Sequence, residues 1–130
     1  MEQEKKKFLF IISQANSNPV QMLGIMKIAS NMKAFDDTAD LVIFLLGEGV
    51  MLAKKGVAHN ISIDFEGKKV SFGEMLELLI DLEAKVYVCH GFMPGYGLTA
   101  DSLIPNVEVK SSAYIAELLL NGYIPFSLSI

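Results

Sequence analysis

At 130 residues, with eleven basic against fifteen acidic side chains, the chain has the length of one ordinary domain and a formal net charge of −4. A chain of this length buries a sizeable core without disulfides or metal, and beyond Lys5-Lys6-Lys7 no basic run offsets a phosphate backbone, so nucleic acid is not an expected partner. The hydrophobic fraction of 52% fits strands buried on both faces, or a further surface buried between subunits, and makes a homo-oligomer the expectation.

The stretch Met1 to Ile12 starts like a signal peptide, lysines preceding Phe8-Leu9-Phe10-Ile11-Ile12, but the apolar run is shorter than an h-region and no small-residue cleavage site follows. It reads as a charged tail and a first strand, Phe8 to Ser13, which breaks into the polar loop Gln14 to Asn18. Asn18, Pro19 and Gln21 then predict a capped helix start, and Met22, Ile25, Met26, Ala29 and Met32 mark one buried face of a helix ending near Ala34. Asp36, Asp37 and Asp40 form the turn before Leu41 to Leu46, a second strand apolar on both faces. That run is the longest apolar one and has strand length, so no membrane span is expected.

Gly47-Glu48-Gly49 ends this strand, and Val50 to Lys55 predicts a short helix stopped by Gly56. Ile61 to Val70, alternating around Glu66-Gly67-Lys68, fits a small hairpin or an irregular excursion. Ser71 with Glu74 makes a capping box for a helix whose core face is Met75, Leu78, Leu79 and Leu82. Lys85 to Cys89 is a third strand, and the glycines and proline of His90 to Gly97 exclude regular structure there. Thr99 caps a turn through Asp101 to Leu103, closed by Pro105; Val107 to Val109 is a brief strand. Ser111 or Ser112 starts a helix through Leu120, ended by Asn121-Gly122, and Ile124 to Leu128 is the last strand. One α/β domain over residues 1–130 follows: a five-stranded, mainly parallel, doubly wound sheet in a three-layer α/β/α arrangement.

Ligands of such sheets bind at the carboxyl ends of the strands. Ser13 to Asn18, Gly47 to Gly49 and Cys89 to Gly97 meet there, and among them Cys89 is the group that is nucleophilic near neutral pH. With one cysteine there is no internal disulfide, and the cytoplasm is the expected compartment. His90 is next in sequence, but neighbours on an extended segment point to opposite faces. Glu48 is the carboxylate nearest this edge; Asp36, Asp37 and Asp40 read as solubilising turn residues. Gly91, Gly95 and Gly97 do not make a GxGxxG, no GxxxxGK[ST] occurs, and His59, His90 and Cys89 lack ligand spacing, so neither a nucleotide cofactor nor a metal is expected. Free cysteine is also commonly a small buried hydrophobe, and both readings of Cys89 stand on its position alone.

Val86 to Cys89 with the loop to Gly97-Leu98, Gly47-Glu48-Gly49-Val50 after the second strand, and the closing segment Ala113 to Leu128 together resemble the DsrE/DsrF-like family over nearly the whole chain. The resemblance implies a five-stranded parallel sheet between helices and assembly as trimers or hexamers. It also implies a sulfur carrier or sulfurtransferase-like protein that holds sulfane sulfur as a persulfide on Cys89. The partners implied are sulfur-donor and sulfur-acceptor proteins or small sulfane-sulfur compounds. Glu48, Gly49, His90, Gly91, Tyr96 and Gly97 would shape the pocket. Where many relatives carry a basic or second-cysteine segment after the thiol, this chain has the apolar His90 to Tyr96, so a persulfide must leave to an external thiol. Phe92, Met93 and Tyr96 would shield it, dock a partner or pack between subunits. A non-catalytic oligomeric binding or regulatory module with a structural cysteine is the alternative.

Overall fold

The computed structural model describes residues 5–127. Its first strand, β1 (Lys7–Ile12), takes the β-rich apolar run, and α1 (Pro19–Phe35) follows from the proline, whose fixed φ suits a first helical turn. The predicted cap does not form. The Asn18 amide donates instead to Gln14 Oε1 at 2.9 Å and Gln21 Oε1 at 3.2 Å, so Gln21 is engaged by the side chain it was expected to complement across the backbone. Next come β2 (Asp40–Leu45) and a 3-10 turn over Gly47–Ala53, in place of a helix from Val50 to Lys55. A second such turn, Ala58–Asn60, leads into the hairpin β3 (Ser62–Phe65) and β4 (Lys68–Ser71). The hairpin turns on Glu66 and Gly67, both at positive φ, as a two-residue loop of matching twist requires.

Ser71 caps α2 (Phe72–Asp81) with the full capping box: its hydroxyl accepts from the Glu74 N–H at 3.1 Å and the Glu74 carboxylate accepts from the Ser71 N–H at 3.3 Å. The buried face is Phe72, Met75, Leu76 and Leu79, whereas Leu78 is exposed. The run Leu78-Leu79-Ile80 is apolar all round, so spacing alone left the face rotated by about a sixth of a turn, with Met75 and Leu79 common to both. The chain continues with β5 (Lys85–Cys89), three 3-10 turns (His90–Phe92, Pro94–Tyr96, Ala100–Ser102), β6 (Glu108–Lys110), α3 (Ser112–Leu120) and β7 (Ile124–Phe126). The segment His90 to Gly97 is thus largely helical in short pieces: its glycines and proline prevent an α-helix but not single 3-10 turns. Leu128, the expected end of the last strand, lies outside the described residues.

The main sheet has five strands in the order β6-β5-β2-β1-β7, and every pair is parallel. β6 and β7, each of three residues, form its edges, with Pro125 inside β7. From β1 through β2 and β5 to β6 the chain steps one way across the sheet; from β6 to β7 it returns the full width. Right-handed crossovers therefore put α1 and α2 on one face and α3 on the other. Phe10, Ile12, Leu41, Ile43, Leu45, Val86 and Val88 point to the first face, where they meet Met22, Ile25, Met26, Phe72, Met75 and Leu79. Leu9, Val42, Phe44, Tyr87 and Cys89, the alternate residues, point to the second and meet Leu118 of α3.

Candidate functional site

β5 and β6 are neighbours whose onward chains leave to opposite faces. The segment after β5 sends Met93, Leu98, Leu103 and Ile104 into the core beside α1 and α2, while β6 leads directly into α3 on the other side. Such a divergence is where open α/β sheets form a crevice at their carboxyl edge. Cys89 and Lys110 are the last residues of the two strands and are paired in register.

Cys89 is a free thiol, 2% exposed, on the α3 side of the sheet. The same cluster holds Phe44, Tyr87 and Leu118, with Leu46, Tyr114 and Ile115 packed against it. Tyr87 stands edge-on to Phe44 and to Tyr114, with centroids 5.9 and 5.3 Å apart. The Lys110 ammonium lies over both tyrosines, 5.5 Å from the Tyr87 centroid and 4.7 Å from that of Tyr114, and 3.6 Å from Glu108 Oε2. Burial, followed by hydrogen bonding to Tyr114 and repulsion from its charge and that of Glu108, pushes the Tyr87 phenol well above its ordinary range. Tyr123 is pushed up to about 12, by burial and by donating its hydroxyl to Asp40 Oδ2 at 2.6 Å.

The other expected pocket residues divide between places. Glu48 accepts three hydrogen bonds on one oxygen, from the Ala15 N–H at 2.6 Å, the Ser17 hydroxyl at 2.5 Å and the Ser17 N–H at 3.4 Å, and so ties the turn after β2 to the loop after β1. Burial raises its pKa, but the Ser17 hydroxyl and the two backbone N–H groups outweigh this and hold the carboxyl below its ordinary value. Gly49 sits against the end of β1, where a Cβ would collide with the Ile12 carbonyl. It serves close packing of its turn on the end of β1.

The turns holding His90 and Tyr96 pack against the Glu48 turn. His90, Gly91 and Tyr96 are exposed, and a side chain at Gly91 would meet open space. Gly97 ends its turn at φ +71°. Met93 is buried in the α1-side core and anchors this loop from beneath, which removes it from the residues available to shield a sulfur or dock a partner; Phe92 and Tyr96 stay exposed. Lys110, Tyr87 and Tyr114 were absent from the expected site. Their convergence depends on the register of β6 on β5, and nothing local in the sequence announces it.

Among the described residues no helix is long and apolar enough to cross a membrane, and no group of three or more His, Cys, Asp or Glu gathers to hold a metal. The model of the DsrE/DsrF-like family matches residues 6–126. No curated protein matches the chain. Similar solved structures include the ychN protein from E. coli, at 19% identity over 95% of this chain and 99% of that one, with a TM-score of 0.76. A protein of unknown function from Methanobacterium thermoautotrophicum matches at 15% identity, 95% and 100% coverage and a TM-score of 0.75. One from Bacteroides thetaiotaomicron matches at 17% identity, 95% coverage of both chains and a TM-score of 0.69.

Proposed function

Because the chain belongs to the DsrE/DsrF-like family, we propose that it is a single-domain cytoplasmic sulfur carrier that holds sulfane sulfur as a persulfide on Cys89. The observation that carries this reading is the position of its one cysteine: Cys89 closes β5 where the chains leaving β5 and β6 diverge. The Cys89 thiolate attacks the outer sulfur of a donor persulfide, R–S–SH. A new S–S bond forms, the donor's S–S bond breaks, and the donor leaves as R–S⁻ while the outer sulfur stays on Cys89. In the second step an acceptor thiolate attacks that outer sulfur and Cys89 departs as the thiolate, so no net oxidant is consumed. Donor and acceptor are proteins or small sulfane-sulfur compounds. Transfer is between molecules, since the chain has no second thiol.

The buried sulfur must become accessible, and the element over it is suited to yield: α3 has nine residues and contributes Leu118 as its buried one. Homo-oligomers, trimers or hexamers, belong to the same proposal, and the exposed Leu119, Leu120 and Ile124 at the opposite, amino-terminal edge of the sheet support it.

The test is intact mass after incubation with polysulfide, for the wild type and Cys89→Ser. A reductant-reversible gain of sulfur that depends on Cys89 is expected; its absence would refute the carrier. The 2% exposure of Cys89 favours a second reading, a non-catalytic oligomeric binding or regulatory module with a structural cysteine. Under that reading alkylation proceeds only at the rate of unfolding.

A further inference from the structure

We infer that α3 is a lid over the layer holding Cys89, fastened at its carboxyl end and latched at its first turn by the Lys110 ammonium and the Tyr87 ring, both acting on Tyr114. The inference takes its purpose from the sulfur-carrier reading and its substance from contacts at the two ends of the helix.

The carboxyl end is held by hydrogen bonds. The Asn121 and Tyr123 N–H groups donate to the Glu117 and Leu118 carbonyls at 2.9 and 3.0 Å and close the last turn. Lys7 Nζ, at the start of β1, donates to the Asn121 carbonyl at 3.2 Å, and the Tyr123 hydroxyl donates to Asp40 Oδ2 of β2 at 2.6 Å. The amino end has no such ties. Ser111 precedes the helix without a side-chain cap bond to the first N–H groups. Tyr114 and Ile115 of that turn are half-buried against the cluster that contains the thiol.

This is the end beside Cys89, because α3 starts two residues after Lys110, the register partner of Cys89. Ring contacts hold it: the Lys110 ammonium lies 4.7 Å from the Tyr114 centroid, and the Tyr87 ring stands edge-on to Tyr114 at 5.3 Å. Glu108 Oε2, 3.6 Å from the same ammonium, competes with the ring for it. A short helix bonded at one end and held at the other by such individually weak contacts opens from the weak end. Its first turn unwinds and uncovers the thiol while the opposite face of the sheet stays packed.

Amide hydrogen exchange in α3 and native-state alkylation of Cys89 test the latch together; exchange does not involve the sulfur, so it reads the lid apart from the thiol's own reactivity. Lys110→Met keeps the stem and removes the charge: exchange in the first half of α3 and alkylation should both rise about fivefold, with α1 and α2 unchanged. Tyr114→Leu loses both ring contacts and should raise them about tenfold. Lys110→Arg should restore the wild-type rates, and Glu108→Gln, which frees the ammonium for the ring, should slow both. Unchanged α3 exchange in folded Lys110→Met overturns the inference, as does faster exchange with unchanged alkylation. If neither Lys110→Met nor Tyr114→Leu folds, the wild type decides: alkylation through the lid is nearly independent of dilute urea, since one turn exposes little surface, and a urea dependence as steep as that of global unfolding overturns the lid. Intact-mass loading with polysulfide keeps the two proposals apart: moved exchange and alkylation without a Cys89-dependent adduct sink the carrier alone, and an adduct with neither rate moved sinks the latch alone.

Discussion

On one side of the sheet, α1, α2, the hairpin and the Gly47–Ala53 turn close over Phe10, Ile12, Leu41, Ile43 and Leu45, all without solvent exposure. On the other, α3 with Leu46 and Tyr123 beside it covers Leu9, Val42, Phe44, Tyr87 and Cys89, and the layer mixes aromatic rings, a thiol and a lysine. The first side spends its residues on dense apolar packing, which tolerates no missing volume. The second is thin, polar at its rim and held by one short helix. The thiol thus lies on the thinner of the two faces, and most of the buried core lies on the other.

Truncation on the two faces should differ most. Phe10→Ala removes a fully buried ring from the thick side and is expected to cost about 3–5 kcal/mol in urea unfolding. Leu118→Ala should cost about 2 kcal/mol, at the low end for buried leucine, because α3 can settle into the gap. The same variant should speed native-state alkylation of Cys89, whereas Phe10→Ala should affect it only through global unfolding. Equal costs, with no change in alkylation for Leu118→Ala, would erase the distinction between the faces.

Glu48 tests the carboxyl edge between them. Glu48→Gln keeps the shape but weakens charge-assisted bonds to Ala15 and Ser17 and should cost about 1 kcal/mol. Since the folded-state pKa is depressed, the carboxylate's stabilisation is complete above its unfolded value of 4.5 and fades as pH falls through the folded value. Wild type and variant should therefore converge in acid, as paired thermal melts below pH 4.5 would reveal. The smallest effect belongs to Gly91→Ala, whose new methyl meets open space: a melt within about 0.5 kcal/mol of wild type is expected.

What the sequence made legible was local. Ser71 and Glu74 sit three apart and cap α2 as expected, and the alternation of Lys85 to Cys89 put the thiol at a strand end. Asn18 failed as a cap because Gln14, a residue of the preceding loop, offered its amide a competing acceptor. Leu78 looked buried because three successive apolar residues erase the helical phase. The burial of Cys89 and its pairing with Lys110 were not legible, since both follow from a helix and a strand more than fifteen residues later in the chain.

The short margins of the sheet have a consequence for growth. At one border Pro125 brings no N–H to β7, and at the other Glu108 and Lys110 place charge along a strand of only three residues. Neither border offers an incoming strand a usable ladder. Copies that associate are steered toward closed assemblies joined through helices and faces, and away from open ribbons that lengthen without limit.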